Sequence, residues 1–216
     1  MDLSIIIPSY NDGRLVLRLV KQLQQKKLSN TEIIVVEAGD NVYFSQLKNV
    51  RCFHSAKGRA VQMNLGAKHA QGTMFLFLHA DSDVRGVHFH DFPQYGWGGF
   101  RIRYTSMMPY YRFIEKHALK RMRNMQLVFG DQGLFVSKKL FAYVGGYPLR
   151  GFEDVDISLK LRHFGAPILI HDYICTSPRR FEKHGPRRTH LIMGAILLSY
   201  TWGFKRLSKK LYRWIV

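Results

Sequence analysis

The chain has 216 residues, with 33 Lys and Arg against 15 Asp and Glu, giving a formal charge of +18. Hydrophobic residues make up 46% and charged residues 22%, which excludes a disordered polyelectrolyte and leaves enough apolar material for one buried core. Its two cysteines, Cys52 and Cys175, form no CxxC pair, which argues against a structural zinc site and a disulfide scaffold and fits a reducing, intracellular compartment. So large a positive excess favours an anionic partner (nucleic acid, an anionic membrane face or a phosphorylated substrate), unless it is only a solvated surface.

Residues 1–8 do not read as a signal peptide, since no basic stretch precedes an apolar run that is itself too short. Ile5, Ile6 and Ile7 predict a buried strand that ends at Pro8. Ser9, Tyr10, Asn11, Asp12 and Gly13 are loop residues, with Asn11 or Asp12 able to cap a helix that continues through Leu15, Leu19, Val20 and Leu23. Residues 32–37 predict a second buried strand, closed by Ala38, Gly39, Asp40 and Asn41, and the order strand, helix, strand predicts a parallel βαβ unit. A short strand over 51–54 precedes a helix that starts after Lys57, Gly58 and Arg59 and is terminated by Gly72. Residues 73–78 are the most apolar strand so far and run into His79, Ala80, Asp81, Ser82 and Asp83.

The second half predicts a strand over 96–104, a basic helix over 110–128, a strand over 134–136 and a helix over 138–144 stopped by Gly145 and Gly146. A helix over 153–164 ends at Gly165, and a last strand follows over 167–171. Without repeats or linkers, this is one α/β domain over 1–190, followed by a basic amphipathic helical tail over 191–216.

Open α/β sheets bind ligands beyond the carboxyl ends of their strands, so the acidic residues after the strand over 73–78 are placed for chemistry. Asp81 and Asp83 repel each other unless a cation lies between them, and hard oxygen ligands suit Mg²⁺ or Mn²⁺. The same two residues also suit a turn. His184 could complete such a metal shell, or be structural. Glu153 and Asp154 open a helix after a glycine-rich loop, where a carboxylate of raised pKa would serve as a general base, and where acidic residues also meet the helix dipole. Asp131 and Gln132 suit either hydrogen bonds to a polyhydroxylated acceptor or a turn. Arg179 and Arg180 offer planar forks for phosphate oxygens, or form a solvated basic loop.

The ordered set decides more than its members do. Pro8 to Asn11 after one strand, Glu37 after the next, the run from Lys57 to Asn64, His79-Ala80-Asp81, Gly145-Gly146-Tyr147 and Glu153-Asp154 together resemble the inverting family 2 glycosyltransferases of the GT-A fold. The resemblance covers residues 3–185, and within the family the chain is similar to the subgroup called rSAM/selenodomain-associated transferase 2. It implies a GT-A-type, Rossmann-like mixed sheet flanked by helices, and a nucleotide-diphosphate sugar as donor. It implies donor contacts from Pro8, Ser9, Tyr10, Asn11, Glu37, Lys57, Arg59, Asn64, His79, Ala80, Arg179 and Arg180. Asp81 would hold a divalent metal, and Asp83, which is not a fixed ligand of the family, and His184 are further candidates from the residues themselves; Asp154 would act as base, and Asp131, Gln132 and Glu153 would contact the acceptor. Two departures from the family pattern are His79, where many members carry Asp, and Met63, where members often carry Arg.

Residues 191–204 are mostly apolar but too few to span a bilayer, and Lys205, Arg206, Lys209, Lys210 and Arg213 follow, interleaved with Tyr212 and Trp214. This pattern suits an interfacial helix on an anionic membrane and places the protein in the cytoplasm, at the inner face of the cell membrane. The alternative is a helix packed on the domain. Two other functions compete. A nucleotidyltransferase would want a glycine-rich basic loop after the first strand, which Ser9 to Gly13 does not supply. A nucleic-acid-binding protein would leave the carboxylates unused, and no helix-turn-helix, zinc-finger or RNP-like pattern supports specific nucleic-acid recognition.

Overall fold

Every residue of β1 (Leu3–Ser9) is buried, which marks it as the centre of the sheet. The computed structural model describes residues 2–39, 43–89 and 92–214, apart from the side chain of Arg180. Within them the chain runs through α1 (Gly13–Gln25), β2 (Thr31–Glu37), β3 (Arg51–His54), α2 (Arg59–His69) and β4 (Met74–Phe77). It continues as β5 (Trp97–Tyr104), α3 (Pro109–Met125), a 3-10 turn (Gly130–Gln132), β6 (Phe135–Ser137), α4 (Lys138–Tyr143) and α5 (Glu153–Leu161). Last come β7 (Ile168–Thr176), α6 (Arg179–His184), α7 (Pro186–Thr201) and α8 (Lys205–Tyr212).

The seven strands lie in the order β3-β2-β1-β4-β6-β5-β7. β1 is parallel to β2 and β4, while β6 runs antiparallel to both of its neighbours. Side chains alternate across the sheet and so build two cores. Ile5, Ile7, Val35, Leu76 and Leu78 pack with α1 on one face. Ile6, Ile34, Val36, Phe75 and Phe77 pack with Met63, Phe141, Tyr147 and Ile157 on the other. Met63 is therefore core, with no opening to a ligand.

Several boundaries differ from the sequence expectation, each for a local reason. β1 continues past Pro8 to Ser9, because β4 pairs with β1 only as far as Ile6, and a missing N–H is tolerated where the ladder has one neighbour. α2 ends at His69 rather than at Gly72. Gly72 lies against β1, where a Cβ would come within 2.8 Å of the Leu3 carbonyl carbon and the Ser4 nitrogen. α3 stops at Met125, and the left-handed Gln126 (φ 54) turns Leu127 and Val128 into the core. β7 runs on to Thr176, pairing with β5 from Gly98 to Tyr104 across an irregularity at Phe100/Arg101. The C-terminal segment forms two helices, separated at Gly203 (φ 90).

Candidate active site

The carboxyl ends of β1, β2 and β4 form one side of the site. Glu37, fully buried at the end of β2, ties this region together. Its Oε2 accepts from Ser9 Oγ at 2.6 Å and Tyr43 Oη at 2.7 Å; its Oε1 accepts from the amides of Asn11, Ala38 and Gly39 at 3.0, 2.9 and 2.7 Å. Burial alone would raise its pKa, but these donors outweigh burial and hold it below the ordinary value. With both oxygens occupied, Glu37 fixes the loops that follow β1 and β2. The Ser9 hydroxyl is committed to the same knot and Pro8 is buried within β1, leaving Tyr10 and Asn11 as the exposed members of that expected set. Lys57 places Nζ 3.9 Å from the centre of the Tyr10 ring, a cation–π contact at the rim. Gln62, which sequence reasoning missed, donates from Nε2 to the carbonyls of Ser9 and Val36 and so clamps α2 onto the two strand ends.

The expected metal residues do not form one group. Among the described residues, no three His, Cys, Asp or Glu side chains are arranged to hold a metal ion. Asp83 is held by Arg85, whose Nε and Nη2 reach its carboxylate at 2.8–3.1 Å, and its backbone pairs with Cys175, so it anchors a loop and is not a free ligand. Asp81 is different: among the described residues its carboxylate accepts no hydrogen bond, only its backbone carbonyl being used, by Arg18 at 3.1 Å. It faces Asp12, whose pKa is raised by burial and then by Asp81 and Glu37, with Arg179 opposing. Asp12 and Asp81 are thus a repelling pair with Arg179 near. The sequence signal for Asp12 was its place beside Asn11, where it read only as a helix cap; the structure shows no side-chain cap bond there. His184 Nε2 is sealed from solvent without a hydrogen-bond partner. The side chain of Arg180 lies outside the described residues.

Three further expected donor contacts have structural work. Asn64 accepts from the Tyr147 amide at 2.9 Å and donates to its carbonyl at 2.8 Å, fixing the Gly145-Gly146-Tyr147 loop. Ala80 is buried in the core. His79 packs against Gly130 with its Nε2 sealed from solvent, so that edge of the ring supports the turn.

Asp154, in the first turn of α5, is the chemical centre of the other side. Oδ2 accepts from the Gly130 amide at 2.9 Å, while Oδ1 is sealed and has no hydrogen-bond partner. Burial, then the neighbouring Glu153 charge, lift its pKa to about 6, against the pull of Arg59 and the Gly130 amide. Arg59 crosses from α2 to pair with Glu153 at 3.1 Å, joining the two halves of the sheet over the site. Beside Asp154 lies a small pocket of about 120 Å³ walled by Phe129, Phe152, Met193, Ile196, Leu197, Tyr200 and other side chains. The C-terminal helices are therefore part of this wall, and Tyr200 secures α7 by donating to Asp156 at 2.7 Å. Gln132 is not available to an acceptor. It is buried, its Oε1 accepts from Arg121 and the Phe129 amide, and its Nε2 points to the Phe100 carbonyl. Asp131 lines a second, larger cavity together with Arg121.

The glycosyl transferase family 2 model matches residues 4–85, the span from β1 to the loop that carries Asp81. Residues 4–85 are thus similar to the family 2 glycosyl transferases over less than half of the chain. This segment contains the knot at Glu37 and the Asp12–Asp81 pair. The whole sheet is that of the GT-A glycosyltransferases. The mannosyltransferase PcManGT from Pyrobaculum calidifontis, solved with GDP-Man and Mn²⁺, is similar over 88% of this chain and 61% of its own, with a TM-score of 0.61 at 16% identity. S. aureus TarS is similar over 82% of this chain and 37% of its own (TM-score 0.59, 17% identity). TarS 1-349 in complex with UDP-GlcNAc is similar over 82% and 58% (TM-score 0.59, 15% identity). The chain thus spans less than two thirds of each, and likeness at such identity establishes the fold alone. No curated protein matches the chain in sequence. These likenesses do not separate the rSAM-associated subgroup from the rest of the family.

Proposed function

We propose that this protein moves a sugar from a nucleotide-diphosphate sugar to an acceptor hydroxyl, with inversion at the anomeric carbon and Asp154 as the base. The observation that carries the reading is Asp154 Oδ1, a sealed and unpartnered carboxylate oxygen, raised toward neutral pKa, at the edge of a pocket. A general base works best when its pKa lies near the working pH. The Gly130 amide holds the other oxygen, which fixes the carboxylate while leaving Oδ1 to take the proton of a hydroxyl. Attack of that hydroxyl on the face of the sugar opposite the leaving diphosphate inverts the centre in one displacement.

On the donor side, Tyr10, Asn11 and Lys57 would meet the nucleotide, and Arg179 would offer its guanidinium to the diphosphate. The carboxylate of Asp81 suits a hard divalent cation, since it accepts no hydrogen bond and faces a second acid. Asp81 would hold Mg²⁺ or Mn²⁺, whereas Asp83 is spent on Arg85. Such an ion supplies positive charge to the departing diphosphate.

Thermal unfolding with GDP-Man or UDP-GlcNAc, with and without Mn²⁺, tests the donor half: stabilisation that needs the metal is expected for a nucleotide sugar. Asp154→Asn should keep that stabilisation and lose transfer. Full transfer by Asp154→Asn would remove Asp154 from the role of base.

The exposed apolar residues Leu191, Leu198 and Trp202 on α7, with Phe204, Leu207 and Trp214 around α8, lie beside five exposed cations, Lys205, Arg206, Lys209, Lys210 and Arg213. Among the described residues, no helix is long and apolar enough to cross a membrane. This surface supports a peripheral contact with an anionic bilayer, at the cytoplasmic face.

A further inference from the structure

The larger cavity, of about 350 Å³, lies among α3, β5 and α7. Phe129, Met193 and Leu197 line both it and the small pocket at Asp154, so the two are neighbours. Small-molecule sites usually measure roughly 300–1,000 Å³, a range that admits this cavity and not the 120 Å³ pocket alone. Its walls are mostly apolar, from Ile102, Ile114, Phe181, Met193 and Leu197. Lys120, His117, Asn124 and Leu198 are exposed lining residues, so it opens to the surface close to the apolar stripe of α7.

Its polar part is unusual. Arg121 stacks on Phe129 at 3.5 Å and donates from Nη2 to Gln132 at 2.5 Å, but its Nε is sealed from solvent with no hydrogen-bond partner among the described residues. A buried donor left unsatisfied is costly, and a ligand oxygen would satisfy it. The titratable groups facing the cavity are Tyr104, whose pKa burial raises, His117, Lys120, Arg121, Asp131 and His190. Burial, then His117 and Arg121, hold His190 toward the neutral form, so the two cations outnumber the one carboxylate. A second observation is Gly194, in the interior of α7, where an added Cβ would meet nothing within 4 Å. Glycine inside a helix is destabilising relative to alanine, and no neighbour among the described residues requires it here. It leaves the cavity open.

We propose that this cavity binds a single-chain amphiphile with an acidic head, whose carboxylate or phosphate oxygen accepts from Arg121 Nε while its chain lies along Ile114, Phe181, Met193 and Leu197. On the transferase reading this molecule is the acceptor, presenting a hydroxyl past Phe129 to Asp154; that role rests on the reading, whereas the binding does not.

Calorimetric titration of the full chain with decanoate, decyl phosphate and decanol tests it. At least one of the two anions should bind ten-fold or more tightly than decanol, and the better one identifies the acid. Gly194→Phe, which fills the space, should weaken that binding at least ten-fold, and Arg121→Gln should remove the preference over decanol. Thermal shifts of Gly194→Phe with GDP-Man and UDP-GlcNAc should match those of the unaltered chain and report an intact fold. Absent anion binding, equal binding of decanol, or anion binding unchanged in Gly194→Phe overturns the assignment. Nucleotide sugars that stabilise neither protein would instead defeat the transferase reading and leave the cavity site standing.

Discussion

Carboxylates at the start of a helix are ordinarily favoured there, because the first turn carries partial positive charge. Asp154 sits in that position and still has its pKa lifted to about 6, since burial and the Glu153 charge outweigh the help it receives. The folded-state pKa therefore lies above the unfolded one. Its contribution to stability is complete below about pH 4 and is lost as pH rises through about 6, a cost on the order of 3 kcal/mol at neutral pH. Asp154→Asn removes that cost while its amide oxygen can still accept from Gly130. Thermal unfolding at pH 7.5 should show a more stable variant, with the gain vanishing near pH 4, and transfer should fall by roughly 10²–10⁴-fold. For the unaltered protein, kcat/KM should rise with pH through an apparent pKa of about 6. A profile flat from pH 5 to 8 would contradict the assignment. The Glu153-Asp154 pair was legible from its place after a glycine-rich loop. The role of Glu37 was not, because five donors from three segments converge on it only after folding.

At the scale of elements, Asp154 depends on a turn that belongs to another part of the chain. The 3-10 turn Gly130–Gln132 presents the Gly130 amide to Asp154, and His79 packs behind it from the end of β4. A Cβ at position 130 would lie 2.2 Å from His79 Nε2 and 3.1 Å from Asp154 Oδ2. Gly130→Ala must therefore displace the ring, the turn or the carboxylate. A loss of about 1–3 kcal/mol in stability is expected from such overpacking. Misplacing a reacting group by about 1 Å costs roughly 10²-fold in rate, so kcat should fall far more than donor affinity. Thermal unfolding together with separate kcat and KM measurements checks this, and an unchanged kcat would show that the turn does not position the base. Strand and helix order were legible because burial on both faces writes continuous apolar runs into β1, β2 and β4. The extent of β7 was not, since its nine residues are mostly half-exposed and are ordered by pairing with β5.

For the whole molecule, the charge of +18 divides by location. Arg59 and Arg179 belong to the site, while Arg121 is enclosed in the larger cavity; in sequence it could not be told from its solvated neighbours on the same basic helix. The cations of α8 have a different geometry. Lys205, Arg206, Lys209, Lys210 and Arg213 recur at helical spacing on one side, Phe204, Leu207 and Trp214 recur on another, and Ser208 faces inward to bond Ser199 of α7 at 2.9 Å. Packing on the domain therefore uses the Ser208 side and Tyr212, whose ring meets Phe152 at 5.3 Å, while the basic side and Phe204, Leu207 and Trp214 remain outside. Near an anionic bilayer each such cation contributes about 1 kcal/mol at moderate salt, and the apolar side chains add their own transfer term. Co-sedimentation with vesicles containing phosphatidylserine should show strong binding at low salt that weakens as salt rises, because screening shortens the reach of the cations. Trp202→Ser with Phe204→Ser should weaken binding at every salt concentration, whereas replacing Lys209 and Lys210 by Gln should weaken it mainly at low salt, by roughly five-fold per charge. Equal pelleting with neutral vesicles would show that the basic face takes no part, and no pelleting with either would leave α8 as a packing helix alone. The two variants separate the contributions because neither alters a residue that lines the pocket at Asp154.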